Sequence, residues 1–168
     1  MEQRIPDTYN LQRFVDAQAR VFDQMLTELR EGRKRSHWMW FIFPQIAGLG
    51  SSDMAQRFAI SGQAEAVAYL QHQELGPRLK QCAHLVNQVF GRTVEQIFGY
   101  PDNLKFHSSV TLFAAVAPGE GVFRDSLEKY FNGKPDSATV ALLVNTSTPG
   151  AASQASQLRA ERDAQASS

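Results

Sequence analysis

The chain has 168 residues, 43% hydrophobic and 20% charged, with 17 basic side chains balanced by 17 acidic ones. This is the make-up of one globular domain, long enough to bury a core without a metal or disulfide staple. Zero net charge excludes a broad basic footprint for nucleic acid, the single cysteine excludes an internal disulfide, and no apolar run reaches the roughly 18 residues of a membrane span or forms a signal peptide, so the expected compartment is the cytoplasm.

From Asp7 to Glu31 the apolar residues Leu11, Phe14, Val15, Phe22, Met25, Leu26 and Leu29 recur every three or four positions, on one face of a single helix. Asp7 or Thr8 caps its first amides, and Gly32 ends it in a left-handed conformation. Ser36 is expected to cap a short helix from His37 to Phe43, which Pro44 cannot continue for want of an amide hydrogen. The segment AGLGSSD then forms a loop. Helices follow from Ser52 or Asp53 to about Ile60 and from Ser61 to Leu70.

Leu75, Leu79, Cys82, Val86 and Phe90 continue the helical spacing, with Pro77 in a first turn and Gly91 as the stop. Thr93 and Gln96 make a capping box for a one-turn helix that Gly99 closes. Asp102 is expected to cap NLKFHSSVTLFAAV, which ends before Pro118, and GVFRDSLEKYFNG closes at Gly133. The run DSATVALLV suits a last helix or a strand. Since no two alternating runs are joined by a hairpin signal, the predicted class is all-α: a compact multi-helix domain over residues 7–144. Residues 145–168, almost without aliphatic side chains, are expected to form a disordered tail.

Two stretches carry chemistry. In GRKRSHWMWFIFPQ, Arg33, Lys34 and Arg35 stand at the mouth of a predicted helix, where free amides and fixed cations together attract an anion. Trp38 and Trp40 beside them suit a stacked ring, and equally a packed core in which removing Trp40 costs about 3–5 kcal/mol. His37 is the proton-transfer candidate, its alternative being a ring that merely satisfies a backbone carbonyl. In PDNLKFHSSVTLF, Lys105, Ser108 and Thr111 suit phosphate or sugar oxygens; alternatively the hydroxyls bond back to helix carbonyls and Lys105 faces water. His107 is read as surface. His72 and His84 have no ligand-spaced partners, and with no HExxH or CxxC pattern neither a metal nor a cofactor is expected.

Together, KRSHWMWFIFPQIAGLG, RFAISGQAEAVAYLQHQELGPRL and IFGYPDNLKFHSSVTLF resemble an uncharacterised, mainly bacterial family of helical domains whose members often carry the label calpastatin. The resemblance runs from about Leu11 to Leu143 and implies a single helical domain without an assigned activity. It places shared positions at Lys34, Ser36, His37, Trp38, Trp40, Phe43, Pro44, Gln45, Glu65, Tyr69, Lys105, Ser108, Ser109 and Thr111. Asn103 departs from it, standing where an acidic residue is common. More distantly, the order of motifs is similar to that of helical N-glycosidases acting on ADP-ribose-like and riboflavin-pathway compounds, although their tryptophan and acidic-histidine motif is not reproduced.

Two functional readings follow. In the first, a pocket binds a phosphorylated nucleoside or ADP-ribose-like ligand: Trp38 and Trp40 hold the ring, and Arg35, Ser36, Gln45, Lys105, Ser108 and Thr111 take the polar groups. N-glycosidic hydrolysis is a further step of that reading, with Glu65, the only carboxylate of the shared motifs, and His37 as its catalytic pair. In the second, the domain is a non-enzymatic interaction module whose tryptophan-rich surface docks a partner protein. The first reading expects Ser36, His37 and Lys105 to line one cavity, with Trp38 or Trp40 nearby; His37 and Lys105 on opposite faces would favour the second.

Overall fold

The helical spacing of the sequence is realised over residues 6–147, the part of the chain described by this computed structural model, as ten helices with no strand among the described residues. In chain order they are α1 (Gln12–Ala19), α2 (Phe22–Glu31), α3 (Met39–Ile42), α4 (Asp53–Arg57), α5 (Gln63–Gln71), α6 (Leu75–Asn87), α7 (Val94–Phe98), α8 (Asp102–Val116), α9 (Gly121–Phe131) and α10 (Ser137–Ser147). No described helix is long and apolar enough to cross a membrane.

The organising element is α8. Phe106, Ser109, Val110, Leu112 and Phe113 are all buried, so the middle of this helix is enclosed while its first turn reaches the surface at Leu104: α3, α5, α7, α9 and α10 pack on it. A ladder of rings runs beside it. Phe98 stacks on Phe106 at 4.8 Å, Phe43 meets Phe106 edge-on at 5.1 Å, and Tyr69 reaches Phe113 at 5.5 Å, geometries that favour aromatic pairs. Where α5 turns into α6 the backbones come so close that a Cβ on Gly76 would lie 2.0 Å from the Leu70 carbonyl oxygen. Cys82 is buried beside Met25, its sulfur 3.7 Å from the thioether, and burial pushes its thiol pKa up to about 12.

Several expected boundaries move. The helix predicted from Asp7 to Glu31 is two, broken at Arg20 and Val21, because α1 packs on α3 while α2 packs on α6 and one straight rod cannot serve both. Asp7 does cap α1, its carboxylate accepting the Leu11 and Gln12 amides at 2.6 and 2.9 Å, and Gly32 closes α2 at φ 71°. The helix expected from His37 to Phe43 shrinks to Met39–Ile42, and Ser36 does not cap it because its hydroxyl is bonded to Glu28. Ser52 caps α4, which stops at Arg57 rather than near Ile60. Chain beyond it is held as an isolated parallel bridge between Ile46 and Ile60. Asp102 lies within the first turn of α8 instead of capping it, because its carboxylate is taken by two lysines. The run at 137–147 resolves as helix and passes the limit expected at residue 144; the remainder of the expected tail lies outside the described residues.

Candidate functional site

The motif after α2 is organised by a carboxylate that the sequence reading passed over. Glu28, one turn before the end of α2 and 3% exposed, turns its side chain under the following loop. One oxygen accepts the amides of Arg35 and Ser36 at 2.6 and 2.9 Å and the Trp38 indole N–H at 3.2 Å; the other accepts the Ser36 hydroxyl at 2.6 Å. Burial by itself would raise its pKa, but these donors outweigh that cost and hold the carboxyl below its ordinary value. Ser36 and Trp38 are thereby spent on folding the loop, and Trp38 is wholly buried. Arg35 turns outward, exposed and paired with Glu31 at 3.0 Å. His37 is exposed and makes no hydrogen bond to a described residue.

The second half of the site comes from α8. Asp102 accepts Lys34 at 2.8 Å and Lys105 at 3.2 Å, bridging two motifs that are far apart in sequence. Each ammonium lies over an indole, Lys34 at 5.3 Å from the Trp38 ring and Lys105 at 4.7 Å from the Trp40 ring. Two cations share one carboxylate, so the relay keeps a positive charge, and attraction to the ring faces helps hold both stems. Trp40 is only partly buried and Lys105 is 21% exposed, so this edge of the relay reaches the surface. Leu104 and Tyr100, at the same end of α8, are 49% and 81% exposed.

The remaining sequence candidates fall elsewhere. Glu65, in α5 and 4% exposed, is ion-paired with Arg13 at 2.9 Å and accepts the Ser61 amide at 3.0 Å. Arg13 in turn binds the carbonyls of Tyr9, Asn10, Arg57 and Ala59, a network that ties α1 to the chain around α4. Ser108 donates to the Leu104 carbonyl and to Asp136, and Thr111 donates to the His107 carbonyl while accepting the Asp136 amide. Both hydroxyls thus fasten the start of α10. Gln45 is half-buried, its backbone carbonyl accepting the Ile60 amide at 2.8 Å. His107 stacks on Phe131 at 3.9 Å.

The structure therefore brings Lys34, Trp38, Trp40, Asp102 and Lys105 together, and does not bring Glu65, Ser108 or Thr111 to them. Asp102 was legible as an acidic residue at a helix start, but its partners were not. Three arginines, Arg13, Arg20 and Arg57, went unread; they line a cleft of about 500 Å³ between α1 and α4. A second cleft, of about 520 Å³, lies between α6 and α9 around His84, Asn87 and Lys129. Neither is lined by Trp38, Trp40 or Lys105. Among the described residues no group of three histidine, cysteine or carboxylate side chains is arranged to hold a metal ion.

Comparison with known proteins places the chain in a family rather than an activity. Residues 8–143 match the model of a family described as protein of unknown function (DUF1810). Among solved structures the chain is similar to the conserved hypothetical protein Rv1873 from Mycobacterium tuberculosis, at 56% identity and a TM-score of 0.81, over 82% of this chain and 99% of that one. A comparison with curated proteins gives no match.

Proposed function

Since the chain belongs to this family of unknown function, we propose, from its own surface, that it is an interaction module whose partner supplies an acidic group and an apolar anchor. The observation that carries this is the Lys105 ammonium seated over a partly exposed Trp40 at the N-terminal end of α8, where Leu104 and, just before the helix, Tyr100 are exposed. Trp and Tyr are favoured interface anchors, and a cation held in place beside them is spared part of the ordering cost of binding. Large apolar side chains left in water next to a fixed charge suit a docking face better than they suit a soluble surface.

The reading that began from a phosphorylated nucleoside or ADP-ribose-like ligand at this same site has the Lys105–Trp40 contact in its favour. Its catalytic step has little support, because Glu65 is buried in an ion pair with Arg13 and accepts the Ser61 amide.

The test is affinity capture from native extract with the wild type and with the double variant Tyr100→Ser, Leu104→Ser, followed by calorimetry with the purified partner. Both positions are exposed, so the melting temperature should hold. The reading expects a partner whose binding falls about tenfold or more in the double variant and weakens with salt. Equal capture by both proteins would sink it. A melting temperature raised by ADP-ribose or nucleotides in the wild type but not in Lys105→Met would instead favour the small-ligand reading.

A further inference from the structure

The cleft between α1 and α4 lies apart from the relay just described and differs from it in chemistry. One wall is α1, which presents Gln12, Arg13, Asp16 and Ala17 at the spacing of a single helical face, continued by Arg20 at its C-terminal cap. The opposite wall is α4, with Met54 and Arg57, and Phe41 and Phe58 lie between the two. Those rings are buried, at 6% and 2% exposure, and meet edge-on at 5.3 Å, so the base of the cleft is rigid and apolar. Its volume of about 500 Å³ is that of a small-molecule site.

The three arginines are not equivalent. Arg13 is committed to Glu65 and four backbone carbonyls. The guanidinium groups of Arg20 and Arg57 make no hydrogen bond or ion pair among the described residues, although both residues are exposed at the cleft. Arg57 lies over the Phe58 ring at 5.2 Å, which steadies the group while leaving its N–H edge open. Two open guanidiniums are suited to a dianionic phosphate, which each can grip through paired N–H groups. Asp16 lines the same space, accepting the Gln12 side-chain amide at 2.9 Å. A carboxylate repels an anion next to it but accepts from hydroxyls, so it favours a ligand that separates a phosphate from a hydroxylated middle. Ala17, Val21 and Met54, all partly exposed, supply an apolar wall for a flat ring.

We propose that this cleft binds a nucleoside monophosphate, the phosphate between Arg20 and Arg57, the sugar hydroxyls toward Asp16 and the base on the apolar wall. Engaging the two guanidiniums, the carboxylate and the apolar wall at once takes phosphate, sugar and ring in one molecule, and neither the phosphate nor the ring alone engages all of them.

Calorimetry and amide NMR on the full chain test this with adenylate, guanylate, cytidylate and uridylate, against inorganic phosphate and the matching nucleosides. At least one nucleotide should bind, shifting amides of Ala17, Val21 and Met54, and should bind about tenfold or more tightly than phosphate or nucleoside alone. Arg20→Met and Arg57→Met should each weaken it about tenfold or more. Arg124→Met, an exposed change on α9 whose guanidinium serves only the Pro118 carbonyl among the described residues, should leave it unchanged. No binding at millimolar nucleotide overturns the proposal. So does phosphate or nucleoside binding as tightly as the nucleotide, or affinity that survives both arginine changes in proteins with wild-type circular dichroism.

Discussion

At the scale of single residues the most consequential side chain is Glu28, since four donors converge on its two oxygens. Glu28→Gln keeps the shape but turns one acceptor into a donor facing donors, and should cost about 2–4 kcal/mol in urea unfolding. The pH dependence has a definite sign. A carboxyl whose folded pKa lies below its unfolded one binds fewer protons in the native state, so its stabilisation is complete above the unfolded value of about 4.3 and is lost as pH falls through the folded value. The wild-type melting temperature should therefore drop in that acid window, while the glutamine variant, lower throughout, changes less there. The two tryptophans also separate. Trp38 is 0% exposed, so Trp38→Ala should cost about 3–5 kcal/mol in denaturant, the amount expected of Trp40 from the sequence. Trp40→Ala should cost about half as much, because part of that ring already meets water.

At the scale of elements, α10 depends on Asp136. Its carboxylate accepts the Thr139 amide and hydroxyl at 3.1 and 2.6 Å and the Ser108 hydroxyl at 3.2 Å, fixing the last helix to the central one. Asp136→Ala should cost about 1–2 kcal/mol and speed hydrogen exchange across 137–147 more than across α8; uniform acceleration would contradict this coupling. Helix ends of this local kind were readable in advance. The Thr93 and Gln96 capping box, the helix start at Ser52 or Asp53 and the Gly32 stop all appear as expected, because each rests on residues within one turn. The break at Arg20 and Val21 was not readable: the periodicity continues across it, and only packing against two different helices requires it. A common site for Lys105 and Trp38 or Trp40 was expected from the sequence, but the carboxylate of Asp102 linking Lys34 to Lys105 is a tertiary fact. The arginines of the α1–α4 cleft stand singly along the chain, and no spacing announces them.

At the scale of the whole molecule, the fold tolerates no widening where α5 meets α6. Gly76→Ala would press a methyl group against the Leu70 carbonyl oxygen, a backbone atom, and should lose about 3 kcal/mol or more, or fail to accumulate folded; a variant with wild-type stability would mean that the two helices can part there freely. The buried thiol of Cys82 has a practical consequence. Enclosed beside Met25 and resistant to ionisation, it is closed to alkylating reagents as long as the core is intact, because the thiolate is the reactive form and cannot meet reagent there. The chain thus carries its own clock: the rate at which an excess of iodoacetamide marks its one cysteine counts openings of the core, and ligands or partners that bind the native state should slow the count.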